Sequence, residues 1–139
     1  KKIITKTGWV TLLELDAKGR MLLNDLGYDA KDETESIEHK FWKFRIAEYY
    51  KNKGFEILVE QHINGKPDII VISGNKKTAV EIETGNSDYM KNIERDGKLF
   101  DDVVCIATSK QVEEKIKQAL KEKNLFDKKI IITSVLSFP

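Results

Sequence analysis

Three carboxylates near the ends of two predicted strands could hold a metal ion. Asp68 stands at the start of one strand, and Glu81 and Glu83 flank Ile82 near the end of the next. Side chains alternate across a strand, so Glu81 and Glu83 share a face, where like charges repel unless a cation or a proton relieves them. A hairpin between the two strands would bring Asp68 beside Glu81. Together with the backbone carbonyl of Ile82, they would offer the hard oxygen ligands that suit Mg²⁺ or Mn²⁺.

Two further polar residues lie at the start of a predicted helix. Glu38 comes one turn before Trp42, so it is expected to face the sheet with the apolar stripe of that helix. The alternative is that Glu38 only complements the helix dipole. His39 has the chemistry of a ligand or base, but a lone histidine near a helix start is more often a surface or capping residue. Both interpretations stay open for both residues.

Length and composition limit the class of protein. The 139 residues, 40% hydrophobic and 34% charged, fit one domain with or without a short appendage, which excludes a multidomain enzyme. No apolar run approaches the roughly 20 residues of a membrane span, and no leader pattern opens the chain. We therefore expect a soluble, cytoplasmic protein. The lone Cys105 sits in an apolar run and is expected to be buried, so no disulfide framework is possible within one chain.

The formal net charge of +1 hides an uneven distribution. Residues 66–109 hold six basic and eight acidic side chains, whereas residues 110–139 hold seven and four. A basic flank around an acidic centre is compatible with a phosphate-binding surface around a metal pocket. A solvated charged surface is the commoner explanation.

The N-terminal part, residues 1–33, reads as a strand and helix appendage. Residues 8–15 are predicted as a strand, and Asp16 as the N-cap of a helix that is closed by Gly27. A strand next to a short helix is compatible with the end of a winged helix. Because the first residue is Lys1 rather than methionine, we also expect a fragment of a longer polypeptide.

Residues 34–139 are predicted to form an α/β domain with a mixed sheet flanked by helices, in the order αβββαβαβ. The alternation of strands and helices in its second half implies parallel crossovers, because tight turns cannot join parallel neighbours. The predicted elements are a helix at 37–53, strands at 55–61, 68–72 and 78–83, a helix at 87–96, a strand at 103–107, a helix at 111–123 and a strand at 130–135. Phe44 is expected on the apolar face of the first helix, Asn64-Gly65 is predicted as a turn, and Ser87 as the N-cap of the second helix.

These motifs resemble a known superfamily. Gly54-Phe55, Pro67-Asp68 and Glu81-x-Glu83-Thr84-Gly85, after a helix carrying Glu38 or His39, resemble the PD-(D/E)XK nucleases, which have the restriction-endonuclease-like fold. The strings EHKFWKFRIAEYYKNKGFEI, AVEIETGNSD, KNIERDG and FDDVVCIATS are more similar to nuclease-like domains attached to archaeal and mobile-element ATPases and winged-helix proteins. The resemblance covers about residues 37 to 122.

The resemblance implies roles for the carboxylates. Asp68 and Glu81 would bind a divalent metal, while Glu83 occupies the place where the superfamily usually has lysine. This is a departure, although some restriction enzymes of the superfamily are similar in having Glu there. Glu83 would then be a second metal ligand or a general base on water, with Glu38 as a further catalytic residue. Lys66 and Lys91 are candidates for the missing positive charge.

DNA is the partner that the resemblance implies. The turn after Glu83 allows close backbone approach and leads to a helix N-terminus that favours anions, and basic residues line the first helix of the domain. Ordinary turn geometry and a solvated helix face explain these features equally well. The predicted DNA-binding residues are Lys40, Lys43, Lys66, Thr84, Gly85 and Asn86, with Asn92 also expected to face the site.

Three interpretations follow for function. The first is a metal-dependent endonuclease or exonuclease domain that uses Mg²⁺ or Mn²⁺ to hydrolyse DNA phosphodiester bonds. The second is an inactive nuclease-like fold that serves as a DNA-binding or dimerisation module of a larger ATPase or regulatory protein, and a homodimer fits either. The third is that the carboxylates are only surface charges on an unrelated α/β protein.

Overall fold

The structure is a computed structural model and describes residues 1–13, 16–27, 35–59, 65–125, 127 and 129–138. Seven strands and four α-helices lie in these ranges, followed by a 3₁₀ turn at Val135–Ser137. In chain order they are β1 (Lys2–Thr5), β2 (Gly8–Thr11), α1 (Ala17–Asp25), α2 (Ile37–Asn52), β3 (Glu56–Val59), β4 (Ile69–Ser73), β5 (Lys76–Glu83), α3 (Tyr89–Leu99), β6 (Asp102–Ala107), α4 (Lys110–Glu122) and β7 (Ile130–Ser134).

The main sheet has five strands in the order β3-β4-β5-β6-β7. The first three form an antiparallel meander, and β5, β6 and β7 run parallel to one another. The α/β class and the mixed sheet are thus confirmed. Ile69 pairs with Val80 across the β4–β5 hairpin, so the start of β4 lies beside the carboxyl end of β5. The topology therefore gathers the residues around 68 and 81–83 at one edge.

Helices cover both faces of this sheet. Trp42 and Ile46 of α2 belong to one core cluster, together with Ile82 and Ile106 from the strands. A second cluster on the other face joins α3 and α4 to the sheet, through Met90, Ile93, Cys105, Ala107, Ile116 and Leu120. Residues 105 and 106 fall in different clusters because neighbouring side chains point to opposite faces of a strand. The burial predicted for Cys105 is confirmed.

The N-terminal segment differs from its prediction. The single strand predicted at 8–15 is the second half of a short hairpin, in which β1 pairs antiparallel with β2 and β2 ends at Thr11. Sequence patterns of four residues are too short to reveal such a strand. Asp16 is confirmed as the N-cap of α1, since its side chain accepts from the Gly19 amide. Ile3 is buried in the α2 core cluster, so this hairpin packs on the main sheet domain.

Two details of the helices also differ from prediction. Phe44, expected on the apolar face of α2, is 66% exposed, because two residues rotate a helix by about 200° and place it opposite Trp42. Asp88 rather than Ser87 is the N-cap of α3 and accepts from the Lys91 amide. The end of the strand predicted at 55–61 and Asn64 of the predicted turn lie outside the described residues.

None of the described helices is both long enough and apolar enough to cross a membrane.

Candidate active site

Asp68 is held by two hydrogen bonds at the entry to β4. Its Oδ2 accepts from the Ile82 amide of β5 at 2.8 Å and lies 3.1 Å from His39 Nε2 of α2. Burial acts to raise the pKa of Asp68, but the bonds and charge of His39 and the Ile82 amide outweigh it and lower the pKa below its usual value. Asp68 is therefore an ionised carboxylate in a largely buried setting.

Glu83 shares a face of β5 with Glu81, as the strand alternation predicts. Their parallel neighbours on β6 are Cys105 and Ala107, both in the cluster beneath α3 and α4. The Glu83 side chain accepts a hydrogen bond from the Ser87 hydroxyl in the turn that leaves β5. Burial is the main cause that raises the pKa of Glu83, against the lowering effects of its hydrogen bonds with Ser87 and Asn92. The Glu83 carboxyl therefore holds its proton to a higher pH than an exposed glutamate does.

Glu81 accepts a hydrogen bond from an arginine that the sequence did not reveal. Arg95 of α3 donates through Nη2 to Glu81 Oε1 at 2.8 Å and through Nε to Asp96 Oδ1 at 2.9 Å. Burial, followed by a hydrogen bond with Asp96 and the charge of Asp68, raises the pKa of Glu81 to about 11 against the influence of Arg95. Glu81 is thus protonated at neutral pH in the metal-free protein.

Asp96 is the most deeply buried carboxylate of this group, with 0% of its surface exposed. One of its oxygens, Oδ2, has no hydrogen-bond donor among the described residues. A signal for Asp96 exists in the sequence, because residues 90, 93 and 96 follow helical spacing and an acidic residue on an apolar stripe is unusual. Its link to Glu81 nevertheless depends on how α3 packs on β5.

Glu35 is a further residue of this site that was not predicted from the sequence. Its Oε1 lies 2.5 Å from His39 Nδ1 and 2.7 Å from Lys43 Nζ. Burial lowers the pKa of His39, but its two acidic partners, Asp68 and Glu35, outweigh burial and raise it. His39 is thus buried between Glu35 and Asp68, with one ring nitrogen on each carboxylate, so it is not only a surface or capping residue. Lys43, predicted to bind DNA, pairs with the buried Glu35.

Glu38 does not join this group. Its carboxylate pairs with Lys1 Nζ at 2.7 Å, and it lies in the first turn of α2, where acidic residues complement the helix dipole. The catalytic role predicted for Glu38 therefore has no support in the geometry. The inward carboxylate of this helix start is Glu35, three residues earlier.

A pocket of about 920 Å³ opens over these side chains. Its floor includes His39, Asp68, Glu81, Glu83 and Arg95. Around these lie several of the residues predicted to bind DNA or to face the site, namely Lys66, Thr84, Asn86, Lys91 and Asn92. Lys40, Lys43 and Gly85 are not among the lining residues, so the structure brings together only part of the predicted DNA-binding set.

The backbone conformation and packing at Gly85 explain why glycine occupies this position. Its φ of +96° lies in the left-handed region, and a Cβ built there would approach Val112 Cγ2 of α4 to 3.1 Å. Glycine is therefore needed for the turn and for its close packing on α4. The prediction that Gly85 lets a DNA phosphate approach the backbone is not needed to explain it.

The donor chemistry of the pocket fits a divalent cation. Asp68, Glu81 and Glu83 lie together at one edge of the sheet and line the pocket, and carboxylates collected in this way are relieved by a cation or a proton. All the carboxylate oxygens are hard ligands of the type that Mg²⁺ prefers.

The present side-chain positions do not converge on one point. Within the described ranges, no group of three or more His, Cys, Asp or Glu side chains is arranged to hold a metal ion. The reason is visible in the contacts, since Glu81 is turned to Arg95 and Glu83 to Ser87. Ile82, whose carbonyl was predicted as a ligand, contributes its amide to Asp68. Metal binding would require at least Glu81 to exchange its partner.

Burial also bears on the interpretation of the carboxylates as surface charges. Asp68, Glu81 and Glu83 are 9%, 4% and 2% exposed, whereas unpaired surface carboxylates remain in water. The three side chains form a buried polar cluster beneath a pocket, which is where perturbed pKa values mark functional sites.

Comparison with protein-family models, with curated proteins and with solved structures gives no match.

Proposed function

We propose that this protein is a metal-dependent phosphodiesterase that acts on DNA, with a restriction-endonuclease-like fold. The observation that carries the proposal is the buried cluster of Asp68, Glu81 and Glu83 on adjacent strands, beneath an open pocket edged by lysines. Burying several carboxylates costs free energy, and a bound divalent cation is the simplest compensation that also gives them chemistry. The order αβββαβαβ from α2 onward, which the strand and helix patterns of the sequence predict, supports the proposal.

Each residue has a defined task in this proposal. Asp68 and Glu81 would hold Mg²⁺ or Mn²⁺, which supplies Lewis-acid stabilisation of the phosphoryl and leaving oxygens. Glu83 accepts a proton from the attacking water, for which a carboxyl with a raised pKa is suited. His39 keeps Asp68 oriented through its bond to Oδ2. Lys66 and Lys91 at the pocket edge neutralise DNA phosphates.

The test is cleavage of branched, single-stranded and duplex DNA with Mg²⁺ or Mn²⁺. Asp68→Ala should abolish cleavage, because it removes a ligand from the floor of the pocket. The matched control is Glu94→Ala, which removes a carboxylate that is 44% exposed and pairs with Lys123 away from the pocket; it should cleave like the wild type. Absence of cleavage of every substrate, or equal cleavage by Asp68→Ala, would overturn the proposal.

A second candidate function is an inactive DNA-binding or dimerisation module of this fold. The observation in its favour is that Glu81 is paired with Arg95 and that Glu83 replaces lysine, so the metal-free cluster is self-compensated. Mn²⁺ calorimetry separates the two. Binding at millimolar or lower concentration that is lost in Asp68→Ala favours the enzyme, whereas DNA binding that is indifferent to metal favours the module.

A further inference from the structure

The pocket contains a fixed cation although Glu83 stands in the usual place of lysine. Arg95 lies on α3 with its side chain 23% exposed and lines the pocket. Its Nη2 contacts both Glu81 Oε1, at 2.8 Å, and Asp96 Oδ1, at 2.9 Å. The guanidinium is therefore held beside the carboxylate that is proposed to bind the metal.

The hydrogen bonds of Arg95 use three of its five N–H donors and leave two without a hydrogen-bond acceptor among the described residues. A guanidinium carries five N–H groups. Nε donates to Asp96, the Nη2 group faces Glu81 and Asp96, and Nη1 donates to Asn92 Oδ1 at 3.3 Å. The second N–H of Nη1 has no partner in the part of the chain that the structure describes. Three neighbours thus fix the plane of Arg95, which lines the pocket, and not all of its donors are used by the described residues.

The two lysines at the pocket edge are placed differently. Lys66 and Lys91 have exposed side chains, and neither makes an ion pair with another described residue. A free lysine side chain must lose rotamer entropy before it can hold a ligand at one point. Arg95 has already lost that freedom through its contacts with Asp96 and Asn92, and its planar fork matches the geometry of phosphate oxygens.

We infer that Arg95 binds the substrate phosphate at this site and takes the part that the missing lysine would play, with Asp96 as the residue that positions it. The inference rests on the proposed phosphodiesterase function and names its phosphate-binding residue. This arrangement also accounts for the buried Asp96. Its Oδ2 has no hydrogen-bond partner among the described residues, and Arg95 is the cation that compensates its charge. Lys66 and Lys91 then contribute only to the general attraction of DNA.

The experiment measures kcat and KM for DNA cleavage with Arg95→Gln, Arg95→Lys and Asp96→Asn. The control is Lys98→Gln, which removes one positive charge from an exposed position of the same helix that does not line the pocket. Arg95→Gln should lower kcat by about 100-fold or more, as for other lost transition-state donors, and should raise KM by up to about tenfold, because Arg95 also contacts the phosphate of the bound substrate. Arg95→Lys should recover part of kcat, and Asp96→Asn should lie between them.

A binding arm needs no activity. Thymidine 5′-monophosphate is titrated into each variant by calorimetry in the presence of Ca²⁺, and thermal unfolding establishes that each variant is folded. Arg95→Gln should weaken this binding about tenfold, because a hydrogen bond between charged groups is lost. Lys98→Gln should bind like the wild type.

The outcomes separate the two claims. If the wild type cleaves DNA and folded Arg95→Gln stays within threefold of it in both kcat and nucleotide binding, the role of Arg95 is overturned. If the wild type cleaves nothing but Arg95→Gln still loses nucleotide binding, the phosphodiesterase proposal fails and the phosphate-binding role stands. If Arg95→Gln and Arg95→Lys both unfold, the test passes to Asp96→Asn, because this variant keeps the guanidinium and removes only the charge that anchors it. Folded Asp96→Asn that loses kcat and nucleotide binding supports the role of Arg95, whereas wild-type values in both overturn it.

Discussion

Replacing Glu81 by glutamine should make the metal-free protein more stable at high pH and leave it nearly unchanged at low pH. The Glu81 carboxyl is buried beside Asp96 and Asp68, which raises its pKa to about 11. Between the unfolded value of 4.5 and this folded value, the native state keeps a proton that the unfolded state releases. Stability must therefore fall as pH rises through this window. Glutamine has no such proton and can still accept from Arg95.

The size of the effect follows from the linkage relation. Each pH unit inside the window costs the wild type about 1.4 kcal/mol that the variant does not lose. From pH 5 to pH 8 the stability difference between Glu81→Gln and wild type should grow by about 4 kcal/mol. This figure depends only on the folded pKa lying above 8, because the unfolded pKa sets the lower end of the window.

The assay is urea unfolding of both proteins at pH 5, 6, 7 and 8 in the presence of a chelator. Glu94→Gln, at an exposed carboxylate, is the control and should show no such trend. A stability difference that is independent of pH would refute the reasoning, because it would mean that Arg95 keeps Glu81 ionised in spite of its burial. In that case the free energy of the ion pair exceeds the cost of desolvation.

Three other predictions concern the neighbours of the site and the core. Glu35→Gln should lower the pKa of His39, which Glu35 helps to raise, as measured by NMR titration; Glu38→Gln, whose carboxylate pairs with Lys1, should leave it unchanged. Gly85→Ala should cost about 1–3 kcal/mol in urea unfolding because of its positive φ and the contact with Val112, whereas Gly97→Ala within α3 should not destabilise. Ile46→Ala, at a fully buried position, should cost about 2–5 kcal/mol, and Phe44→Ala, which is 66% exposed, less than about 1 kcal/mol; equal losses would contradict the assigned face of α2.

Local patterns determined most of the secondary structure of the domain. The helix α2, the strands of the meander and the later alternation of strands and helices follow from apolar periodicity, which depends on residues close in sequence. The errors lie where the pattern is short or ambiguous. The strand β1 has four residues, and the capping turn before α3 offers both Ser87 and Asp88 as candidates.

The candidate site likewise contains residues that could be grouped from the sequence and residues that could not. Asp68, Glu81 and Glu83 could be grouped from the sequence because strand alternation and a hairpin fix their relation locally. Glu35 could not be preferred over Glu38, because the direction in which the start of α2 faces depends on how the helix docks on the sheet. Arg95 and Asp96 lie 14 and 15 residues after Glu81, and only the packing of α3 on β5 brings them to it.

By itself, the sequence determined which elements form and that three carboxylates share one edge of a sheet. The tertiary structure decided what surrounds those carboxylates. Burial raised the pKa of Glu81 and Glu83, while His39 lowered that of Asp68. The tertiary structure also placed Arg95, rather than a surface lysine, as a fixed cation beside Glu81 and Asp96. The physical reason is that periodicity acts between neighbours in the chain, whereas desolvation and charge pairing depend on distances between elements that meet only after folding.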